Sequence, residues 1–174
     1  RILAEGGVVI VEAPYVKELI DHTEFDTIYH EHLCYFSLTA LDSLFRRHGL
    51  TIVNAERVAI HGGTLRVFAT PISENVRVAD SVRSFLAQEN SWGVDDPVAY
   101  RAFSDNVKGI RTHLRSVLAW LKHEGRRVAA YGASAKGSTL LTYTGIGAET
   151  LDFVADLITV KQVRFTLGTH LPIY

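Results

Sequence analysis

Six apolar residues between positions 103 and 121 recur at alternating intervals of four and three, and this spacing constrains the fold more than any other feature. They are Phe103, Val107, Ile110, Leu114, Val117 and Leu121. Residues three or four apart share one face of an α-helix, so the spacing predicts a long amphipathic helix packed on a domain. A coiled coil over about three heptads is the alternative.

An α/β pattern precedes this helix. Residues 8–11 are wholly apolar and mostly β-branched, which favours a strand buried on both faces, as in a parallel sheet. Thr39 is the predicted cap of a helix that ends before residue 50. Residues 50–60 and 65–70 then read as two strands of a hairpin, because a Gly-Gly pair at 62–63 can take positive φ.

A second α/β pattern follows the helix, which we expect to end at Gly125. Residues 128–131 predict a strand, which leads through a glycine-containing turn into another helix. Residues 151–156 predict a further strand, parallel to the first. The sequence therefore predicts an α/β protein with one unit at residues 1–72, a helical linker at 73–124 and a second unit at 125–174.

Composition excludes several classes of function. The 174 residues carry a net charge of -1, which gives no electrostatic reason to expect a nucleic-acid partner. The single cysteine, Cys34, favours a reducing compartment, and no apolar run approaches the ~20 residues that span a bilayer. We expect a cytoplasmic protein without a membrane partner. The abrupt ends, at Arg1 and at G-T-H-L-P-I-Y, suggest a piece of a longer chain.

The stretch F-D-T-I-Y-H-E-H-L-C-Y-F-S, residues 25–37, concentrates groups that can move protons. A positioned histidine can remove and return a proton, and a tyrosine can donate to a developing oxyanion. On a helical turn Tyr29 and His32 share a face, which pairs an acid with a base. In an extended strand His30 and His32 share a face, as metal ligands would. Catalysis, a metal site and a structural polar cluster all remain open from the residues.

A second candidate is G-A-S-A-K-G, residues 132–137, placed between a predicted strand and a predicted helix. Small residues let a ligand approach the backbone, and a helix N-terminus favours an anion. Ser134 adds a hydroxyl and Lys136 a cation. The spacing matches neither the P-loop nor the dinucleotide fingerprint, so a plain tight turn is the alternative. His61, at the hairpin tip, is expected to be solvent-exposed. The late residues Lys161, Arg164 and His170 are expected to be solvated unless they face the same ligand as Lys136.

Four stretches together resemble one family, the S-adenosylmethionine-dependent sugar C-methyltransferases of deoxysugar biosynthesis. They are L-A-E-G-G-V-V-I-V-E-A-P-Y, F-D-T-I-Y-H-E-H-L-C-Y-F-S, I-H-G-G-T-L-R-V-F and A-Y-G-A-S-A-K-G-S-T-L-L. The resemblance covers nearly the whole chain, in the family's order. It implies that residues 1–72 are the C-terminal part of a Rossmann-like class I methyltransferase sheet. It also implies that residues 125–174 begin a second, incomplete α/β domain that binds the nucleotide sugar.

The resemblance further implies that the main S-adenosylmethionine site, and a zinc-binding region, lie upstream of this chain. Its substrate would be a nucleotide diphosphate-linked keto-deoxysugar, methylated at the carbon next to the ketone through an enolate.

The resemblance also assigns roles to residues of this chain. His32 is the expected base and Tyr29 its partner beside the sugar, while Glu31 orients the base or holds a sugar hydroxyl or amine. The expected substrate-binding residues are Glu31, His61, Ser134, Lys136 and Gly137.

The match weakens at residues 161–170, where the resemblance implies K-Q-G-R-x-x-P-G-T-H and this chain reads K-Q-V-R-F-T-L-G-T-H. Val163 stands in place of a glycine and Leu167 in place of a proline. If the turn needs positive φ, Val163 is strained there. Two other functions remain open: a non-catalytic nucleotide or nucleotide-sugar binding module, and a metal-dependent hydrolase built on His30 and His32.

Overall fold

The structure is a computed structural model that describes residues 3, 4, 6–60 and 62–174. Over these residues the chain is a mixed α/β protein with two small sheets and five α-helices. The first part of the chain forms, in order, β1 (Val9–Pro14), α1 (Val16–Asp21), α2 (Leu38–Arg47), β2 (Leu50–Val58), β3 (Thr64–Pro71) and α3 (Asp80–Trp92). The second part forms α4 (Pro97–His123), β4 (Ala130–Tyr131), α5 (Ala135–Thr144), β5 (Val154–Ala155), β6 (Arg164–Phe165) and β7 (Pro172–Ile173).

The chain divides into two compact units that do not follow its order. The first unit comprises the residues up to Glu24 together with Cys34–Phe103. The second comprises Phe25–Leu33 together with Ser104–Tyr174. A nine-residue segment that interrupts the first unit in sequence therefore belongs structurally to the second.

The first unit is built on an antiparallel sheet with strand order β1-β3-β2. The predicted hairpin is confirmed: β2 and β3 pair along their length, and Gly62 and Gly63 take φ values of 89° and 139° between them. Both α2 and α3 pack on β2. The buried core consists of Tyr15, Leu38, Leu41, Ile52, Ala55, Leu65, Val67, Ala69 and Val82.

Two local predictions in this unit are wrong. The first strand is not buried on both faces in a parallel sheet: β1 pairs antiparallel with β3, and the Ile10 side chain is 59% exposed on the outward face. The cap of α2 is Ser37, whose hydroxyl accepts from the Ala40 N–H at 3.0 Å. Thr39, the predicted cap, lies inside the helix, where its hydroxyl and N–H donate to a carboxylate from α3.

The second unit contains a four-stranded sheet of order β4-β5-β7-β6. The predicted parallel pair is confirmed in β4 and β5, whereas β6 runs antiparallel to β7. Its buried core consists of Ile146, Leu151, Val154, Leu171 and Ile173. The parallel strands direct the turn after β4 and the residue after β5 to the same edge of the sheet, where α/β proteins usually bind ligands.

The long helix α4 confirms the amphipathic interpretation of the apolar spacing. Val107 is buried, and Leu114 and Leu118 pack against the core of the second unit. Ile110 and Val117, on the flank of the stripe, are each 37% exposed. The helix ends at His123, and Gly125 follows it with φ of 71°.

Candidate functional site

Tyr29 and His32 form a hydrogen-bonded pair. The Tyr29 hydroxyl lies 3.2 Å from His32 Nε2, and the two rings meet edge to face with centroids 4.9 Å apart. The backbone makes a turn at this point, since the His32 N–H donates to the Tyr29 carbonyl at 3.0 Å. A turn places residues i and i+3 side by side, which is the arrangement that pairs an acid with a base. Both side chains are half-buried.

The neighbouring polar residues are more open to solvent. The His30 and Glu31 side chains are 81% and 66% exposed, with His30 Nε2 3.9 Å from the Glu31 carboxylate. Glu31 therefore lies next to His30 at the surface of the protein. Cys34 is a free, exposed thiol. Among the residues that the structure describes, no group of three or more His, Cys, Asp or Glu side chains is arranged to hold a metal ion.

The chain that follows this pair is fixed by a carboxylate that sequence reasoning missed. Glu89 of α3 is fully buried and accepts hydrogen bonds from the Leu38 N–H at 2.6 Å, the Thr39 N–H at 2.8 Å and the Thr39 hydroxyl at 2.5 Å. A negative charge at a helix N-terminus is favoured by the free N–H groups and the helix dipole. Burial raises the pKa of the Tyr15 phenol, and the nearby Glu89 carboxylate raises it further.

The turn after β4 holds Ser134, Lys136 and Gly137. Gly132 has φ of 94°, and Ser134 caps α5 by accepting from the Gly137 N–H at 3.0 Å. Lys136 is half-buried in the first turn of the helix. The hydroxyl of Ser134 and the N–H of Gly137 are therefore already bonded to each other in the cap.

Asp156, the residue after β5, is the second group that sequence reasoning missed. Its carboxylate accepts from the Ala133 N–H at 2.7 Å, the Ile158 N–H at 2.8 Å and the Lys161 ammonium at 3.1 Å. The Ile158 N–H is the largest cause, and Lys161 the next, of a pKa held below the ordinary value of an aspartic acid. The available signal was topological: an acidic residue at the carboxyl end of a strand parallel to the one before the glycine turn.

The three late residues Lys161, Arg164 and His170 differ in their exposure. Lys161 is only partly exposed because it pairs with Asp156, whereas Arg164 and His170 are exposed. The strain predicted for Val163 is present: its φ is 60°, and its side chain is 90% exposed. A β-branched residue is a true outlier in this region of backbone space.

The hairpin of the first unit approaches a second polar cluster. His61, the predicted substrate-binding residue at its tip, lies outside the described residues. A Cβ atom at Gly63 would lie 2.3 Å from Glu18 Cγ, so only glycine allows this close approach. The Glu18 carboxylate in turn binds the Arg57 guanidinium at 3.0 Å and His22 Nδ1 at 3.3 Å.

None of the helices in the described part of the chain is long and apolar enough to cross a membrane.

Comparison with known proteins identifies the kind of chain that carries these groups. Residues 59–174 match the family described as the C-methyltransferase C-terminal domain, which is well over half of the sequence. The chain belongs to this C-methyltransferase family. It is also 39% identical over 173 residues to the C-methyltransferase NovU of Streptomyces niveus.

That alignment covers 99% of this C-methyltransferase-family chain but only 41% of NovU. The chain therefore spans about two fifths of the relative that it matches. The alignment with NovU extends over almost the entire chain, whereas the family match begins after the Tyr29–His32 pair.

Proposed function

We propose that this chain is part of an enzyme that transfers a methyl group from S-adenosylmethionine to a sugar carbon. The carbon would lie next to the ketone of a nucleotide diphosphate-linked deoxysugar. The observation that carries the proposal is the hydrogen bond between the Tyr29 hydroxyl and His32 Nε2, in a chain of the C-methyltransferase family.

The chemistry asked of this chain is the formation of an enolate. His32 Nε2 removes the proton on the carbon next to the ketone, and the electron pair of that C–H bond moves into the enolate. Tyr29 donates its hydroxyl hydrogen bond to the developing enolate oxygen in place of His32, which frees the imidazole lone pair for the proton. A positioned base of this kind typically contributes ~10² to 10⁴ in rate.

The glycine turn of this chain does not fit S-adenosylmethionine as a resident cofactor. The glycine turn at residues 132–137 carries Lys136 and leads into a helix N-terminus, a combination that attracts anions and disfavours a sulfonium cation. The methyl donor would be held by other parts of the longer enzyme, and His32 and Tyr29 need only present the enolate carbon to it.

The substrate contacts follow the same logic. Lys136 would face the diphosphate, with Ser134 and Gly137 shaping the turn, and Glu31 and His61 would meet the sugar. The Asp156 carboxylate already accepts a hydrogen bond from the Ala133 N–H of the turn, so this N–H is not available to a diphosphate. The positive charge for the diphosphate would come from Lys136. Lys136→Gln should weaken nucleotide-sugar binding without changing the rate constant of proton removal.

The domain proposal follows the order of the chain and not the two compact units, the first of which extends to Phe103. Residues 1–72 would be the C-terminal part of a Rossmann-like methyltransferase sheet. The antiparallel β2–β3 hairpin would be the hairpin that closes this sheet, and the order β1-β3-β2 supports that assignment. Residues 73–124 would link it to a nucleotide-sugar-binding domain at 125–174. The Phe25–Leu33 segment belongs to the second unit. It would place the proton-transfer pair in the same unit as the turn that binds the nucleotide sugar.

Exchange of the substrate α-proton in D₂O tests the base directly, without any methyl donor. The full-length enzyme containing this chain should exchange the α-proton of a nucleoside diphosphate keto-deoxysugar. His32→Gln should slow this exchange by about 10² or more, and Tyr29→Phe should slow it less. His30→Gln is the matched control, because His30 is the exposed neighbour two residues away.

The outcomes separate the competing functions. Exchange by His32→Gln at the rate of His30→Gln would remove His32 from the mechanism. A wild-type enzyme that binds the nucleotide sugar but exchanges no proton would support a non-catalytic binding module instead.

A further inference from the structure

Something in the second unit must hold the Phe25–Leu33 segment, because its sequence neighbours on both sides belong to the first unit. The contact is made by the 3-10 turn Phe25–Thr27, which packs on α5. Phe25 and Thr27 are both buried, at 8% and 6% exposure. The segment is therefore docked at its beginning, and the question is which side chains form the dock.

Tyr143, in the last turn of α5, is the receiving side chain. Its ring centroid lies 5.0 Å from that of Phe25, with the ring planes tilted by 59°. The guanidinium of Arg111, on α4, lies 5.8 Å from the same Tyr143 ring. The Tyr143 ring thus contacts both the Phe25 ring of the segment and the Arg111 cation. Aromatic rings interact favourably with other rings and with cations.

The helix that carries Arg111 is itself bonded to the end of α5. Arg115, one turn beyond Arg111, donates from Nη1 to the Thr144 carbonyl at 2.9 Å and to the Gly145 carbonyl at 3.2 Å. A cation that binds the last carbonyls of a helix satisfies groups with no partner inside that helix. The Tyr143 ring is thereby held in a fixed place between α4 and the docked segment.

A series of backbone hydrogen bonds between residues close in sequence connects the docked Phe25 to the proton-transfer pair. The Ile28 N–H donates to the Phe25 carbonyl, the Tyr29 N–H to the Thr27 carbonyl, and the His32 N–H to the Tyr29 carbonyl, each at 3.0 Å. Successive turns leave little freedom between the buried Phe25 ring and the Tyr29–His32 pair. A misplacement of about 1 Å can lower a reaction rate by about 10².

We infer that Tyr143 is a positioning residue for the Tyr29–His32 pair, and that it acts through the Phe25 ring with support from Arg111. The catalytic consequence rests on the proposed function, whereas the docking itself does not. Neither Tyr143 nor Arg111 needs to touch the substrate.

Hydrogen–deuterium exchange of the 174-residue chain tests the docking without any substrate. Tyr143→Ala should raise the exchange rates of the Ile28, Tyr29 and His32 amides roughly tenfold, because local opening is controlled by buried contacts. Tyr143→Phe keeps the ring and should leave these rates unchanged. Tyr174→Ala is the matched control, since it removes a ring from the Phe153–Tyr174 pair of the same unit, with centroids 5.6 Å apart.

A folded Tyr143→Ala protein with wild-type exchange at these three amides would overturn the inference. If Tyr143→Ala does not fold, Tyr143→Leu, which fills most of the space without an aromatic ring, gives the same test. Arg111→Gln should raise the three rates less than loss of the ring does.

A kinetic measurement on the full-length enzyme separates positioning from general loss of structure. Tyr143→Ala should lower kcat for substrate α-proton exchange with little change in KM, and Tyr143→Phe should restore it. Amides that open with no change in kcat would contradict the proposed role of His32 but not the docking. Amides that stay protected would contradict the docking, whatever the kinetics show.

Discussion

In each unit of the molecule a nearly buried carboxylate holds a neighbouring segment of backbone, and the donors to these two carboxylates differ in charge. Glu89, in the first unit, accepts from two backbone N–H groups and a hydroxyl at the start of α2. Asp156, in the second, accepts from two backbone N–H groups and the ammonium of Lys161. These three hydrogen bonds of Glu89 come from neutral donors, whereas those of Asp156 include one from a cation.

The difference shows what each charge stabilises. Glu89 joins α3 to residues more than 45 positions earlier in the sequence, so its bonds fix tertiary structure. Asp156 joins the turn after β4 to the loop at residues 157–162, and the Gln162 side chain also donates to its carbonyl at 2.9 Å. We therefore expect the loss of Glu89 to destabilise the whole first unit, and the loss of Asp156 to loosen one edge of the second sheet.

The largest predicted effect is that of Glu89→Ala. The substitution leaves the buried Leu38 N–H and the partly buried Thr39 N–H and hydroxyl without their acceptor. A buried unsatisfied group costs about 1–3 kcal/mol. We expect the free energy of unfolding to fall by about 3 kcal/mol or more, measured by urea denaturation. Glu89→Gln keeps one oxygen acceptor and should lose less.

The control for this substitution is Glu74→Ala, because Glu74 is exposed. Surface substitutions usually change stability by no more than about 0.5 kcal/mol. If Glu89→Ala were as stable as Glu74→Ala, the Glu89 bonds would contribute nothing to the first unit, and the comparison between the two carboxylates would fail.

Asp156→Asn should have a smaller effect, and one that depends on pH. The pKa of Asp156 is held below its ordinary value in the folded state, so the folded protein favours the ionised form. Its contribution is therefore present above the unfolded pKa of about 3.9 and is lost as the pH falls through the lower folded pKa. Thermal melts from pH 7 to pH 3 should show wild type above Asp156→Asn near neutrality, with the gap narrowing below pH 4.

A gap that stayed constant down to pH 3 would contradict this account of Asp156. A Lys161→Met variant sharpens the test, because it removes the cation and keeps both backbone donors. We expect it to melt between wild type and Asp156→Asn at pH 7.

Local patterns predicted the elements whose causes are local. The β2–β3 hairpin follows from two strand-like runs and from glycines that accept positive φ, and α4 follows from its apolar spacing. The parallel β4–β5 pair also follows from order along the chain. The cap of α2 was misassigned because Ser and Thr are both favoured cap residues, and Glu89, which binds Thr39, lies 50 residues away.

In the candidate site, too, local sequence predicted some features and contacts between distant residues determined the others. The local stretch contained both Tyr29 and His32, but only the backbone turn decided between that pair and the His30–His32 pair. The contact of Phe25 with Tyr143 joins residues 118 positions apart and has no local signal. Asp156 could be predicted as a site residue only from its place at the end of β5, once β4 and β5 are known to be neighbouring parallel strands.

The smallest predicted effect concerns Val163, which follows the loop at residues 157–162, and this effect should be stabilising. Glycines 62 and 63 take positive φ in the first unit, but in the second unit Val163 does so, at 60°. Its side chain is 90% exposed, so Val163→Gly loses almost no packing while it relieves strain of about 1–3 kcal/mol. The added freedom of the unfolded chain offsets part of this gain, which leaves about 1 kcal/mol.

Val160→Gly is the matched control, exposed to 71% in the turn Thr159–Lys161, and should destabilise slightly. Urea denaturation should therefore move the two glycine variants in opposite directions. A shared loss of stability would mean that the positive φ of Val163 carries no strain that glycine relieves.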